Sequence, residues 1–220
     1  MKLLLTAGPT REPIDAVRYI GNRSSGKMGL AIAQAAVERG HAVTAVLGPV
    51  ALPLPPSVRR LDVETTEQMR QAVLAEWPSH DVLVMAAAVA DYRVAQPAAG
   101  KLDRRTGPLV LELQPNPVIV AEAAARRREG QKVIGFALEA DDALTRARRK
   151  LQEKGLDLIV VNPLGTMGAS DVAATLLWAD GREVALPPMD KSAFARRLIR
   201  EAEVLFAGPA GGEVRGALEG

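Results

Sequence analysis

Short apolar runs closed by turn residues recur at positions 3–6, 42–47, 82–87, 132–137 and 156–161. They show little alternation, which suits strands buried on both faces of a parallel sheet. Between them, apolar residues recur with helical spacing over 27–39, 66–77, 117–128 and 142–154, and Gly40, Gly130 and Gly155 stand where helices close on a left-handed residue. Strand followed by helix, repeated, predicts an α/β fold: a Rossmann-like open, mostly parallel sheet with helices on both faces and right-handed crossovers. The ligand crevice of such a sheet lies beyond the C-terminal ends of its strands. Residues 174–179 and 182–186 flank Asp180-Gly181, which predicts a C-terminal antiparallel hairpin with a two-residue turn. A last helix is expected over 191–205. The aperiodic, Gly-rich stretch 208–220 reads as a flexible tail, leaving 1–207 as one domain with no internal repeat.

Composition narrows the chemistry. With 48% hydrophobic and 25% charged residues among 220, the chain has the make-up of a folded globular protein. No run approaches the roughly 18 apolar residues of a membrane span, and the apolar start is too short for a signal peptide, so a cytoplasmic location and no membrane partner are expected. The absence of cysteine excludes thiolate nucleophiles, disulfides and Cys-ligated metals, and only His41 and His80 supply imidazole. A net charge of +2 and 3% aromatic residues argue against a nucleic-acid partner. The basic runs at 59–60, 126–128 and 146–149 read as solvated faces.

Two loops carry the candidate chemistry. After the first strand the chain reads TAGPTREPIDAVRYIGNRSSGKMG, and Ser24-Ser25-Gly26 opens the helix near Lys27. Hydroxyls and free amides at a helix N-terminus form an anion site, here Ser24, Ser25 and Gly26 with Gly8 as a turn former. Arg11, Arg18, Asn22 and Arg23 gather in the same segment. No GxGxxG joins strand to helix, and the second strand ends Val46-Leu47-Gly48 without an acid for a ribose hydroxyl, which demotes a nicotinamide-dependent reductase. The second loop, AVADYRVAQPAAGK, leaves the sheet at its ligand-bearing edge. Asp91 has the chemistry to hold magnesium or a sugar hydroxyl, Arg93 lies near the crevice, and Lys101, on a flexible Pro/Ala/Gly stretch, suits closure over a charged substrate. Lys150 and Lys154 share one helix face, where a polyphosphate would turn their repulsion into attraction.

These segments, with AAAVADYR, QPNPVI, GFALEA and KLQEKGLDLIVVN, follow in order over nearly the whole chain and resemble the motifs of the phosphopantothenoylcysteine synthetase family. The resemblance implies a magnesium-dependent ligase in which CTP activates 4′-phosphopantothenate as an acyl-cytidylate, releasing pyrophosphate, before cysteine's amine displaces CMP. It implies that Asn22 serves turnover of the acyl intermediate as a neutral donor to the oxyanion, and that Lys101 stabilises oxygens during activation. It places Met85, Ala86, Ala87, Asp91, Asn116, Pro117, Val118 (by its backbone), Ile119, Phe136, Lys150 and Lys154 around the nucleotide, with Phe136 as an apolar wall. It further implies a homodimer, and a stand-alone ligase with no flavin, whose decarboxylase partner is a separate protein.

The chain departs from the family pattern at Gly21, where a serine is usual, at Val118, where an aspartate is usual, and at Asp103-Arg104, where lysines are usual. Arginine is not an equivalent point charge. Two other readings remain at this stage: a reductase of similar topology, and a nucleotide-binding regulatory module without turnover.

Overall fold

The computed structural model describes residues 1–51, 53–104, 107–139, 142–163 and 171–208. The proposed tail therefore lies, from residue 209 on, outside the described residues. Six strands run parallel: β1 (Lys2–Ala7), β4 (Ala42–Leu47), β5 (Arg59–Asp62), β6 (Val82–Met85), β9 (Lys132–Glu139) and β10 (Leu158–Pro163). Two more, β11 (Asp171–Trp178) and β12 (Glu183–Asp190), extend the sheet antiparallel. The order is β5-β4-β1-β6-β9-β10-β11-β12. From β1 the chain builds outward to β5, then returns to build the other way from β6, so the switch point falls between β1 and β6. Short hairpins, β2 (Arg11–Pro13) with β3 (Tyr19–Gly21) and β7 (Tyr92–Val94) with β8 (Leu113–Pro115), stand off the sheet.

The helices are α1 (Lys27–Glu38), α2 (Thr66–Glu76), α3 (Ile119–Ala125), α4 (Ala143–Glu153) and α5 (Lys191–Ala207). The two-residue period of a strand sorts the core into two layers. Leu3 and Leu5 face one way with Val84, Ile134 and Val160 against α1 and α5, where Ile32, Phe194 and Leu198 fill the gap. Leu4 faces the other way with Leu83, Val133 and Ile159 against α2, α3 and α4, met by Met69, Val73 and Leu151. Among the described residues no helix is long and apolar enough to cross a membrane.

Several expected boundaries shift for local reasons. Strand β6 ends at Met85 rather than 87, because Ala87 N–H leaves the backbone ladder for the Thr6 hydroxyl at 3.2 Å. Helix α3 starts at Ile119, not 117: Pro117 has no N–H and disfavours helix before it, and Asn116 N–H is taken by Asp91 O at 2.8 Å. Strand β5 carries no apolar pattern, since Arg-Arg-Leu-Asp has one apolar residue; it pairs through its backbone at a sheet edge, where charge deters further pairing. Pro187-Pro188 do the same on β12. The predicted hairpin forms, but with a three-residue connection: Gly181 N–H donates to Trp178 O at 3.1 Å, Trp178 N–H to Arg182 O at 3.0 Å, and Gly181 alone takes a positive φ, 92°. Gly40, Gly130 and Gly155 adopt positive φ as expected.

Candidate active site

The switch point is pinned where the two central strands end. Ala86 N–H donates to Thr6 O (3.2 Å), Ala88 N–H to Gly8 O (2.9 Å) and Thr10 N–H to Ala88 O (3.2 Å), so the β1 and β6 loops leave the sheet as one band. Gly48, after β4, lies under Pro9 so closely that a Cβ there would sit 1.8 Å from Pro9 O. No side chain fits where a dinucleotide-binding fold carries its acidic residue, which counts against the reductase reading. Gly8 serves this junction and lines neither cavity described below, so its expected place in the phosphate loop is not found.

On the α3 and α4 side of the band is a cavity of about 400 Å³. Met85, Ala87, Asp91, Asn116, Pro117, Val118, Ile119, Phe136, Lys150 and Lys154 all line it, together with Asn22 from the opening segment. These residues come from β6, the loop after it, the segment leading into α3 and its first residue, β9, and the last turn and C-cap of α4. Asn22 Nδ2 donates to Ala88 O (3.1 Å) and Val89 O (3.0 Å), which fixes the amide orientation, since two carbonyls can be met only by the NH₂. Asn116 is tied on every side: Nδ2 donates to Ala90 O (3.0 Å), and Arg93 Nη1 donates to Asn116 Oδ1 (3.1 Å) and Pro115 O (3.0 Å). Arg93 therefore acts by holding Asn116.

A second cavity, about 230 Å³, lies across the band at the N-terminus of α1. Arg23, Ser24, Ser25, Gly26, Lys27 and Ala86 line it, with Asn162 and Lys191 opposite. Gly26 caps the helix at φ 72° without a side-chain bond, so no capping side chain takes the first-turn amides, which have no acceptor within any helix. Gly29 lets this turn approach β1: a Cβ there would lie 2.2 Å from Ala7 Cβ. Asn162 Oδ1 is buried and, among the described residues, without a hydrogen-bond partner. The two cavities share Ala87, Ala88, Phe136, Ala137 and Leu138, so Phe136 stands at their seam.

The remaining cations of the opening segment have other work. Arg11 lies over the Tyr19 ring, 4.5 Å from its centroid, within the β2–β3 hairpin. Arg18 pairs with Asp15 at 2.8 Å and donates to Leu102 O at 2.6 Å. Burial pushes the Asp15 carboxyl up, but N–H donors from Val17, Arg18 and Leu102 and the Arg18 charge outweigh it and bring it to about 2. The same carboxylate takes Leu102 N–H at 3.1 Å, and Ala98 N–H donates to Ile14 O. Hydrogen bonds thus tie the stretch bearing Lys101 to the opening segment on both sides of the lysine. Lys101 is exposed and lines neither cavity. Asn162 and Lys191 were missed; Asn162 is the polar residue near the end of a parallel strand, a position the crevice rule alone marks.

Residues 1–205 match the family described as DNA/pantothenate metabolism flavoprotein C-terminal domain. The coenzyme A biosynthesis bifunctional protein CoaBC of Vibrio vulnificus (strain YJ016) is 44% identical over 210 residues, 93% of this chain and 52% of that protein. Its counterpart in Escherichia coli (strain K12) is 43% identical over 208 residues, 91% of this chain and 51% of that protein. This chain thus spans about half the length of the curated relatives it matches. The crystal structure of the C-terminal domain of a coenzyme A biosynthesis bifunctional protein CoaBC superimposes with a TM-score of 0.80 at 37% identity, covering 92% of this chain and 93% of that one. From the match over 205 residues and these relatives, the chain belongs to the DNA/pantothenate metabolism flavoprotein C-terminal domain family.

Proposed function

We propose that this chain is a phosphopantothenate–cysteine ligase. CTP and the carboxylate of 4′-phosphopantothenate form an acyl-cytidylate and pyrophosphate; the cysteine amine then attacks the acyl carbon, loses its proton and displaces CMP, giving 4′-phosphopantothenoylcysteine. The observation that carries this reading is the pair of abutting cavities at one sheet edge. One is lined by the paired lysines of α4, the other by the amides and hydroxyls at the start of α1, with Asn22 bound to the loop between them. Two polyanions that must react end to end need cations and amide donors on both sides of a shared wall. Kinship with proteins named for coenzyme A biosynthesis supports the same chemistry.

In this proposal Lys150 and Lys154 attract phosphate oxygens, Phe136 supplies the apolar wall, and the first turn of α1 with Ser24, Ser25 and Gly26 takes a phosphate. Lys101 acts on activation by moving toward the cavity about the Asp15–Arg18 anchor. Asn22 acts in the second step. Its Nδ2 already serves two carbonyls, so donation to an oxyanion requires one of those bonds to be exchanged as the intermediate forms. Among the described residues no three carboxylate or imidazole groups converge. Asp91, which lines the cavity, is the residue that would hold a magnesium ion. The ion would supply charge neutralisation on the triphosphate.

The proposal extends to a homodimer, supported by exposed Val17, Tyr19, Tyr92, Val110 and Leu113 on or beside the projecting hairpins. It assigns the subsequent decarboxylation to a separate flavin-dependent catalytic unit. The test is pyrophosphate release on adding CTP, magnesium and 4′-phosphopantothenate without cysteine, followed by amide formation when cysteine is added. No release, together with no nucleoside triphosphate binding by calorimetry, overturns the reading; NADPH fluorescence enhancement on mixing would revive the reductase.

A further inference from the structure

Beneath the loop that binds Asn22 runs a chain of hydrogen bonds whose direction is set from both ends. Ala90 N–H can only donate, and it donates to Thr10 Oγ1 at 2.8 Å. A carboxylate can only accept, and Glu12 Oε1 accepts from the Thr66 hydroxyl at 2.7 Å and from Thr66 N–H at 2.8 Å. The two threonine oxygens lie 3.0 Å apart. Because the Thr66 proton is committed to Glu12, Thr10 must donate to Thr66. Asn116 Nδ2 joins the hub at Thr66 Oγ1, 3.3 Å away, while holding Ala90 O. Thr10 and Thr66 are fully buried and Glu12 is 3% exposed, so water does not compete for these partners. Thr66 is the first residue of α2, where the helix N-terminus favours a carboxylate.

We propose that Thr10, Thr66 and Glu12 are positioning residues for the ligase site, acting through the loop from Ala88 to Asp91. The chain's polarity holds Ala90 so that the neighbouring Ala88 and Val89 carbonyls face Asn22, whereas Asn116 on the nucleotide side is held independently by its bonds to Ala90 O and Arg93. The inference rests on the ligase reading and deepens it. Since Asn22 is assigned to the second step, a broken chain slows attack by cysteine more than activation by CTP.

Thr66→Val keeps the shape and removes the hub, whereas Thr66→Ser keeps the hydroxyl. Thr10→Val breaks the chain further from the carboxylate and leaves Glu12 with its Thr66 partners, so it is the safer variant for folding. In single turnover, Thr66→Val and Thr10→Val are expected to release pyrophosphate within about threefold of the unaltered protein. Both should form amide about tenfold or more slowly and accumulate acyl-nucleotidylate, and Thr66→Ser should restore the second step. An equal fall in both steps, an unchanged second step, or loss of folding in both valine variants assigns the chain to stability alone and overturns the proposal. Absence of both steps in the unaltered protein would instead remove the ligase reading.

Discussion

The two edges of the central sheet are both rich in polar side chains, yet they are built to opposite ends. At the N-terminal edge buried and half-buried polar side chains close on backbone groups and on one another. Asp81 Oδ2 takes Lys2 N–H, Gln131 Nε2 donates to Trp77 O and His80 O, His80 Nε2 meets Thr44 Oγ1 at 2.9 Å, and Asp157 takes Val133 N–H while pairing with Arg127. At the C-terminal edge, among the described residues, Asn162 Oδ1 is buried without a hydrogen-bond partner and no capping side chain takes the first-turn amides of α1. A buried polar group left unpaired costs free energy, so the open edge holds unspent bonding capacity. Density of charge does not distinguish the edges; satisfaction does.

The largest effect should come from the open edge. Lys101→Gln is expected to reduce pyrophosphate release by about 10³-fold while leaving the thermal midpoint unmoved, because the lysine is exposed and packs in neither cavity. A wild-type rate would remove Lys101 from the chemistry. Next, Asn22→Asp should still release pyrophosphate but lose about 10²-fold in amide formation, read by trapping the cytidylate; the new carboxylate also repels the Ala88 and Val89 carbonyls.

Gly29→Ala tests how the open edge is held. A Cβ 2.2 Å from Ala7 Cβ forces α1 away from β1, which should cost about 2 kcal/mol in urea unfolding and weaken nucleotide binding together. The smallest effect belongs to the closed edge. Hydrogen bonding from Arg39, against the cost of burial and with help from His41, holds the Glu203 carboxyl below its ordinary 4.5. A lowered folded pKa means that this contribution is present above the unfolded value and is lost as pH falls through the folded one. Glu203→Gln should therefore lower the midpoint by about 2 °C at pH 7, converge with the unaltered protein in acid, and leave turnover unchanged. A large loss of turnover there would erase the distinction between the edges.

Much of the fold was legible because burial on both faces imposes unbroken apolar runs, as in Leu3-Leu4-Leu5 and Val82-Leu83-Val84. Strand β5 and the two small hairpins were not, since three or four residues paired mainly through their backbone leave no periodicity to read. Most of the predicted nucleotide residues do surround one cavity, but Ala86 turns to the other side of the band, Gly8 serves the junction, and Lys101 stands outside both.

By itself the sequence determined the order of the buried strands and the helices and the amide-rich start of α1, because these depend on residue type and local spacing. Only the tertiary structure decided which polar residues are spent and which are free. Arg18 and Arg93 look like Arg23 in the chain, yet the first binds Asp15 and Leu102, the second grips Asn116, and the third lines a cavity. The reason is that a side chain's partners come from distant segments, 84 residues away between Arg18 and Leu102 and 164 between Arg39 and Glu203, and no local pattern encodes which donor meets which acceptor across that distance.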